Sequence, residues 1–184
     1  RGPSLFQPYY NLVKLLQKDA VVSETASWIF RATPYVVFIS ILLIALLVPV
    51  LSSQVPLNFI GDIILIIYLF ALGRFFLALS SLDTGSAFGG MGGSREMTIS
   101  SMAEPAMMLS IFTVSLTVGS TNLSNITGTL LNYKSLNPSL LLAFAALVIV
   151  IIAETGRIPV DNPFTHLELT MIHEGMILEF SGRY

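Results

Sequence analysis

The sequence predicts an all-α membrane protein: a polytopic helix bundle with four transmembrane spans, an N-terminal interfacial amphipathic helix and a C-terminal cytoplasmic acidic helix. Composition is the first reason. Of 184 residues only 11% are charged and 54% are hydrophobic, with a mean hydropathy of +0.79. A soluble domain carries about 25% charged residues, so too few are present here to cover a wetted surface. Distribution is the second reason. No charge falls between Arg31 and Asp62, and Tyr35–Leu51 is almost wholly apolar. The third is the one-sidedness of the basic residues, set out below.

A membrane helix needs roughly 20 mostly apolar residues. Four segments approach that pattern: residues 34–51, 60–79, 97–118 and 138–153. Pro34 suits the first turn of the first span, where a missing N–H is harmless. Ser52, Ser53 and Pro56 mark a short turn after it. The second span carries Asp62 near its start and Arg74 near its end, the third encloses Glu104, and the fourth ends on Glu154. Residues 80–96 and 154–184 are then loops on one side. Eight of the nine basic residues fall on that same side, Lys134 being the exception. Lysine and arginine prefer the cytoplasmic face, which puts the N-terminus, the 80–96 loop and the C-terminal segment in the cytoplasm.

Ahead of the spans, residues 8–18 place Tyr9, Leu12, Val13 and Leu16 on one helix face, with Lys14 and Lys18 off it. Two readings stay open: a helix lying in the bilayer interface with its lysines toward headgroups, or a soluble helix packed on a partner. The net charge of −2 gives no sign of nucleic acid. Cysteine is absent, so the chain has no thiolate to hold an iron–sulfur cluster or a thiolate-bound nickel or zinc. The chain opens without Met and stops at Tyr184 just after a charged segment, and the expectation is a piece of a longer protein.

Residues 80–96 hold five glycines among seventeen positions. A phosphate loop is rejected: no Lys-Ser/Thr follows, and Arg95 stands where GxGxxG needs its third glycine. Close backbone approach in a docked loop is the better account. Asn122-Leu123-Ser124 and Asn125-Ile126-Thr127 match glycosylation acceptors, a pattern without meaning in a bacterial or archaeal chain.

The charges inside the spans carry the functional reading. A carboxylate at a membrane-helix centre costs about 2.5–3.5 kcal/mol on insertion scales, so it faces protein or water. Glu104 is followed by Pro105, which removes a helical hydrogen bond, and this pairing fits a proton-transfer station. The alternative is a structural carboxylate bonded to a neighbouring helix. Arg95 lies nine residues earlier, out of phase for an intrahelical pair. Asp62 and Arg74, near span ends, read as snorkelling charges. In the C-terminal segment, Glu168 and Glu179 share a helix face if the helix continues, with Glu174 on another. His166 and His173 are too far apart to share a metal on adjacent turns, and His173-Glu174 lacks the second histidine of HExxH, Ile177 standing there.

Glu154-Thr155-Gly156-Arg157-Ile158-Pro159-Val160-Asp161, with Glu179-Phe180-Ser181-Gly182, resembles the loop after the fifth transmembrane helix of the complex I H-subunit family. Arg1-Gly2-Pro3, Gln7-Pro8 and Lys14-Leu15-Leu16 resemble that family's amphipathic helix, and Arg95 with Glu104 matches its Arg and Glu. Ser81-Leu82-Asp83-Thr84-Gly85-Ser86, Gly93-Ser94-Arg95-Glu96, Glu104-Pro105 and the stretch 119–127 resemble one branch in particular. That branch is the membrane anchor subunits of formate hydrogenlyase and related energy-conserving NiFe hydrogenases. The resemblance implies that the four spans correspond to the family's second to fifth helices, the first and about three later ones being absent.

It also implies an anchor and ion-coupling role, with Glu104, Glu154, Asp161, Glu168, Glu174 and Glu179 in coupling, and Arg95, Arg157 and Asp83 in structure or docking. No cofactor is expected in this chain. The NiFe centre and iron–sulfur clusters would belong to a soluble hydrogenase-like large subunit and an iron–sulfur subunit, beside antiporter-like membrane subunits in a bacterial or archaeal cell membrane. One departure is Asn162-Pro163-Phe164-Thr165-His166-Leu167, where complex I has an acidic run; Glu174 and Glu179 fit the hydrogenase branch better than Glu168 does. Two other readings remain. A quinone-site subunit of complex I would be favoured by a quinone-shaped cavity near the amphipathic helix. A free-standing transporter would be favoured by inverted repeats, which the sequence does not display.

Overall fold

The computed structural model describes residues 4–48, 62–132, 137–158, 160–161 and 172–181. Within them the chain is helical: α1 Gln7–Leu16, α2 Trp28–Leu47, α3 Ile63–Asp83, α4 Ala87–Val118, α5 Leu123–Leu131, α6 Pro138–Glu154 and α7 Ile172–Ile177. Helices α2, α3 and α4 are long and apolar enough to cross a membrane, and α6 is a shorter apolar helix of 17 residues. At 1.5 Å per residue, the 20 residues of α2 span about the 30 Å of a bilayer core. Exposed Phe38, Ile41, Phe70, Leu116, Phe144 and Ile149 are what a lipid-facing surface requires and what water would penalise. The chain is a multi-pass membrane protein.

Helix starts follow from capping side chains, which accept from otherwise orphaned N–H groups. Ser27 caps α2, Asp62 caps α3, Ser86 caps α4 and Asn122 caps α5. Pro138 opens α6 at a position where its missing N–H is harmless. Helix α4 stops at Gly119, whose φ of +75° suits glycine and whose N–H returns to the Ser115 carbonyl at 2.7 Å.

The bundle is a row. Helix α2 packs on α3, α3 on α4, and α4 on α6; α7 lies across α3 and α4, and α5 touches α4. At the α5 end, Ile44, Leu47 and Ile66 form a small core with Leu123 packed on it. There Asp62 also accepts from the Ile64 N–H at 3.0 Å, and the Ile63 N–H donates to the Thr121 carbonyl at 3.1 Å. Asp62 is a structural cap.

At the opposite end, Phe30 stacks on Phe180 with centroids 4.3 Å apart. The Asp83 carboxylate accepts from the Ser27 N–H at 2.7 Å, and the Thr25 hydroxyl donates to the Thr84 carbonyl at 2.8 Å. Ser181 and Val21 exchange two hydrogen bonds of 3.0 Å each.

Several boundaries differ from the sequence reading. Helix α2 begins at Trp28, so Pro34 sits inside it; the preceding Thr33 donates its hydroxyl to the Ile29 carbonyl at 2.9 Å. Residues 80–96 are not a loop: α3 runs to Asp83, Thr84–Ser86 alone break the helix, and α4 starts at Ala87. Gly89 and Gly92 sit inside α4 where neighbouring backbone leaves no room for a side chain. A Cβ at Gly92 would lie 2.9 Å from the Ile172 carbonyl oxygen of α7, and one at Gly89 would collide with the Ser81 carbonyl. Helix α5 was not expected. Helix α7 ends at Ile177, so Glu179 falls in the turn beyond it and continues no helical face.

Candidate functional site

Arg74 stands in the middle of α3, and its guanidinium reaches two other helices. Nη2 donates to Glu104 Oε1 of α4 at 3.0 Å, while Nη1 donates to Glu154 Oε1 at the end of α6. Nη1 also lies 3.4 Å from Ser100 Oγ. The three charged side chains are 15%, 39% and 23% exposed for Arg74, Glu104 and Glu154. Geometry explains why these groups meet. Ser100 and Glu104 are one helical turn apart on α4 and share a face, and α6 packs alongside that helix.

One guanidinium holding two carboxylates has consequences. In a low-dielectric setting charge pairs interact far more strongly than in water, and an uncompensated charge is expensive. Arg74 neutralises one carboxylate equivalent, and the other requires a proton, a cation or water. A change in the charge of either glutamate therefore alters how Arg74 divides its hydrogen bonds, and with them how α3 is tied to α4 and α6. Glu96, two turns before Glu104, is buried at 6% exposure. Beside the cluster lies a recess of about 340 Å³, walled by Ala71, Arg74, Phe75, Glu96, Met97, Ser100, Ser101 and Glu104.

Of the expected coupling residues, Glu104 and Glu154 enter this cluster. Asp161 does not: its Oδ2 accepts from the Ile172 N–H at 3.0 Å, and its Oδ1 is buried without a hydrogen-bond partner among the described residues. It anchors the start of α7. Glu174 is exposed on α7, Glu179 is half-buried beyond it, and Glu168 lies outside the described residues. Arg95 is on the exposed face of α4, and Glu104 pairs with Arg74 instead of with it. Arg157 is exposed in the turn leaving α6, where its carbonyl accepts from the Val160 N–H at 2.8 Å. That turn needs Gly156: its φ is +57°, and a Cβ there would lie 2.7 Å from His173 Nδ1. Asp83 ties α3 to the start of α2, as described.

Sequence reasoning missed Arg74, Ser100 and Glu96. Placing the second span at 60–79 put Arg74 near its end, where long cations reach headgroups; with α3 running to Asp83 the residue is central. The available signal was charge balance. Two glutamates in apolar segments require a cation, and Arg74 was the one basic residue inside a span.

A second recess, of about 380 Å³, is apolar and lined by Thr33, Pro34, Val37, Phe38, Leu77, Ile177 and Phe180. It lies between α2, α3 and the C-terminal end, and α1 contributes no wall residue.

Comparison with known proteins agrees with this architecture. The family model described as NADH dehydrogenase matches residues 1–184. Formate hydrogenlyase subunit 4 of Escherichia coli is 40% identical over 183 residues, covering 99% of this chain and 59% of that protein. Hydrogenase-4 component C of the same organism is 38% identical over 182 residues, covering 99% of this chain and 57% of its own length. The H-type membrane component of NADH-quinone oxidoreductase from Syntrophotalea carbinolica is 31% identical over 191 residues, covering 97% and 56%. A chain of the membrane-bound sulfane sulfur reductase, an archaeal respiratory membrane complex, superposes with a TM-score of 0.77 at 24% identity, covering 99% of this chain and 59% of that one. The chain thus spans little more than half the length of these relatives. It belongs to the NADH dehydrogenase family.

Proposed function

We propose, from that membership and from the Arg74 cluster, that the chain is part of the membrane anchor and ion-coupling subunit of a hydrogenase-like complex of the formate hydrogenlyase or hydrogenase-4 type. The observation that carries the coupling role is one guanidinium held by carboxylates from two separate membrane helices, Glu104 of α4 and Glu154 of α6. Such a junction converts a change of charge into a change of helix contacts, which is what linking redox turnover to proton or sodium movement demands. The turn after α6 and helix α7 would seat the soluble arm, with exposed Arg157 and Glu174 offering charges to it.

On this reading catalysis belongs to partners. A soluble large subunit would hold the NiFe centre and a second subunit the iron–sulfur clusters, beside antiporter-like membrane subunits. With Arg74 inside α3, seven of the nine basic residues fall on one side, which supports putting that arm in the cytoplasm of a bacterial or archaeal cell. Tagging the full-length protein, extracting it in mild detergent and identifying co-purifying subunits with their nickel and iron tests the proposal. Nickel with an iron–sulfur subunit is the expected result. Recovery of the tagged protein alone and intact would refute it.

A second reading, a quinone-site subunit of complex I, is favoured by the S. carbinolica relative, although the apolar recess beneath Phe180 has no wall from α1. Iron without nickel, together with quinone-reductase subunits, would establish that reading instead.

A further inference from the structure

We propose that the apolar recess between α2, α3 and the end of α7 holds an acyl chain of an anionic phospholipid whose phosphate is bound by Arg31. The recess, of about 380 Å³, is walled by Pro34, Val37 and Phe38 of α2, Leu77 of α3, and Ile177 and Phe180. Its one polar wall side chain is Thr33, whose hydroxyl donates to the Ile29 carbonyl at 2.9 Å and lies 3.2 Å from the Phe76 carbonyl. That single O–H is therefore spent on backbone. A quinone carbonyl would find no side-chain donor on these walls, whereas hydrocarbon requires none.

The headgroup is read from the residues beside the recess. Arg31, Pro34 and Phe38 stand at i, i+3 and i+7 of α2, so Arg31 shares a helix face with two of the walls. It lies about 10 Å along the axis from Phe38. Arg31 is exposed and forms no ion pair among the described residues. Trp28 and Tyr35 flank it at i−3 and i+4 and are 70% and 64% exposed. Tryptophan and tyrosine collect at the depth of lipid headgroups, basic side chains at that depth attract anionic ones, and a guanidinium suits phosphate through paired N–H donors. One amphiphile can thus meet Arg31 with its phosphate and lay a chain against exposed Phe38. A protein helix in this place would have to bring its own anion to Arg31 or bury the charge unpaired. A phospholipid carries the anion and the apolar chain together. Bound there, it braces Ile177 and Phe180 against α2.

Lipid binding here is independent of the coupling role, and its test needs no turnover. The full-length protein in its complex is reconstituted in nanodiscs containing phosphatidylglycerol or phosphatidylcholine with the same diazirine-labelled acyl chain. After illumination the labelled residues are located by peptide mass spectrometry. Phosphatidylglycerol is expected to label the recess walls several-fold more than phosphatidylcholine does. Arg31→Gln should reduce that labelling to the phosphatidylcholine level, and Arg31→Lys should keep most of it. Should Arg31→Gln fail to accumulate, the comparison of the two lipids in the native protein decides. Equal labelling by the two lipids, undiminished labelling in Arg31→Gln, or walls labelled by neither would overturn the proposal, the last showing that protein covers the recess. Displacement of the label by added decylubiquinone would overturn it in favour of a quinone.

Discussion

Among the individual side chains, the cluster turns on charge balance. Glu104→Gln leaves Arg74 facing Glu154 alone, one cation to one anion, and the new amide oxygen still accepts from Nη2. Arg74→Gln has the opposite effect, leaving two carboxylates without their cation. Breaking a buried pair costs roughly 3–5 kcal/mol, and the 39% exposure of Glu104 puts this case at the lower end. Arg74→Gln should therefore lower the midpoint of thermal unfolding in detergent. Adding Glu104→Gln and Glu154→Gln to it should restore much of the loss; no recovery would show that Arg74 acts through packing and not through charge. The carboxylates of this site were legible in the sequence because a glutamate in an apolar run stands out. Their cation was not, because its depth depends on where α3 ends.

Among the helices, the fold depends on close backbone approach between α4 and its neighbours. Glycine inside a helix is disfavoured by about 0.5–1 kcal/mol relative to alanine, which is why residues 80–96 read as a loop. Tertiary contact reverses that preference. Gly92 faces the Ile172 carbonyl, where a Cβ would come within 2.9 Å of backbone that cannot yield, whereas Gly90 has nothing within 4 Å. Gly92→Ala should push α7 off α4 and accelerate amide hydrogen exchange in α7. Gly90→Ala should leave that exchange unchanged and raise stability slightly. Equal exchange in the two variants would mean that the glycines do not set the α4–α7 distance. The periodicity of the apolar runs foretold α2, α3, α4 and α6. It could not foretell which glycines were helical, because the reason lies in residues some 80 positions away.

Across the bundle as a whole, the row of helices has two differently built ends. Asp62, Asn122 and the small core under Leu123 close one of them. At the other, α7 and the Phe30–Phe180 stack bring the segment after α6 back over α3 and α4. The Arg74 cluster lies between these ends, and Glu154, the last residue of α6, connects it to the exit turn that carries Gly156 and Arg157. A displacement of α7 by a docked partner would thus reach Arg74 through two helical contacts, one with α4 and one with α3 itself. The sequence resemblance pointed to coupling residues strung along the C-terminal segment. The structure sets Glu154 against Arg74, gives Asp161 the start of α7, and leaves Glu174 facing outward.

If the Arg74 cluster links redox turnover to ion movement, neutralising one of its carboxylates must uncouple the two. The number of ions moved per electron by the complete complex in sealed liposomes, compared between the native protein and Glu104→Gln, decides the matter. A ratio falling toward zero in the variant is expected, while the complex assembles and turns over electrons. An unchanged ratio would remove the cluster from the coupling path.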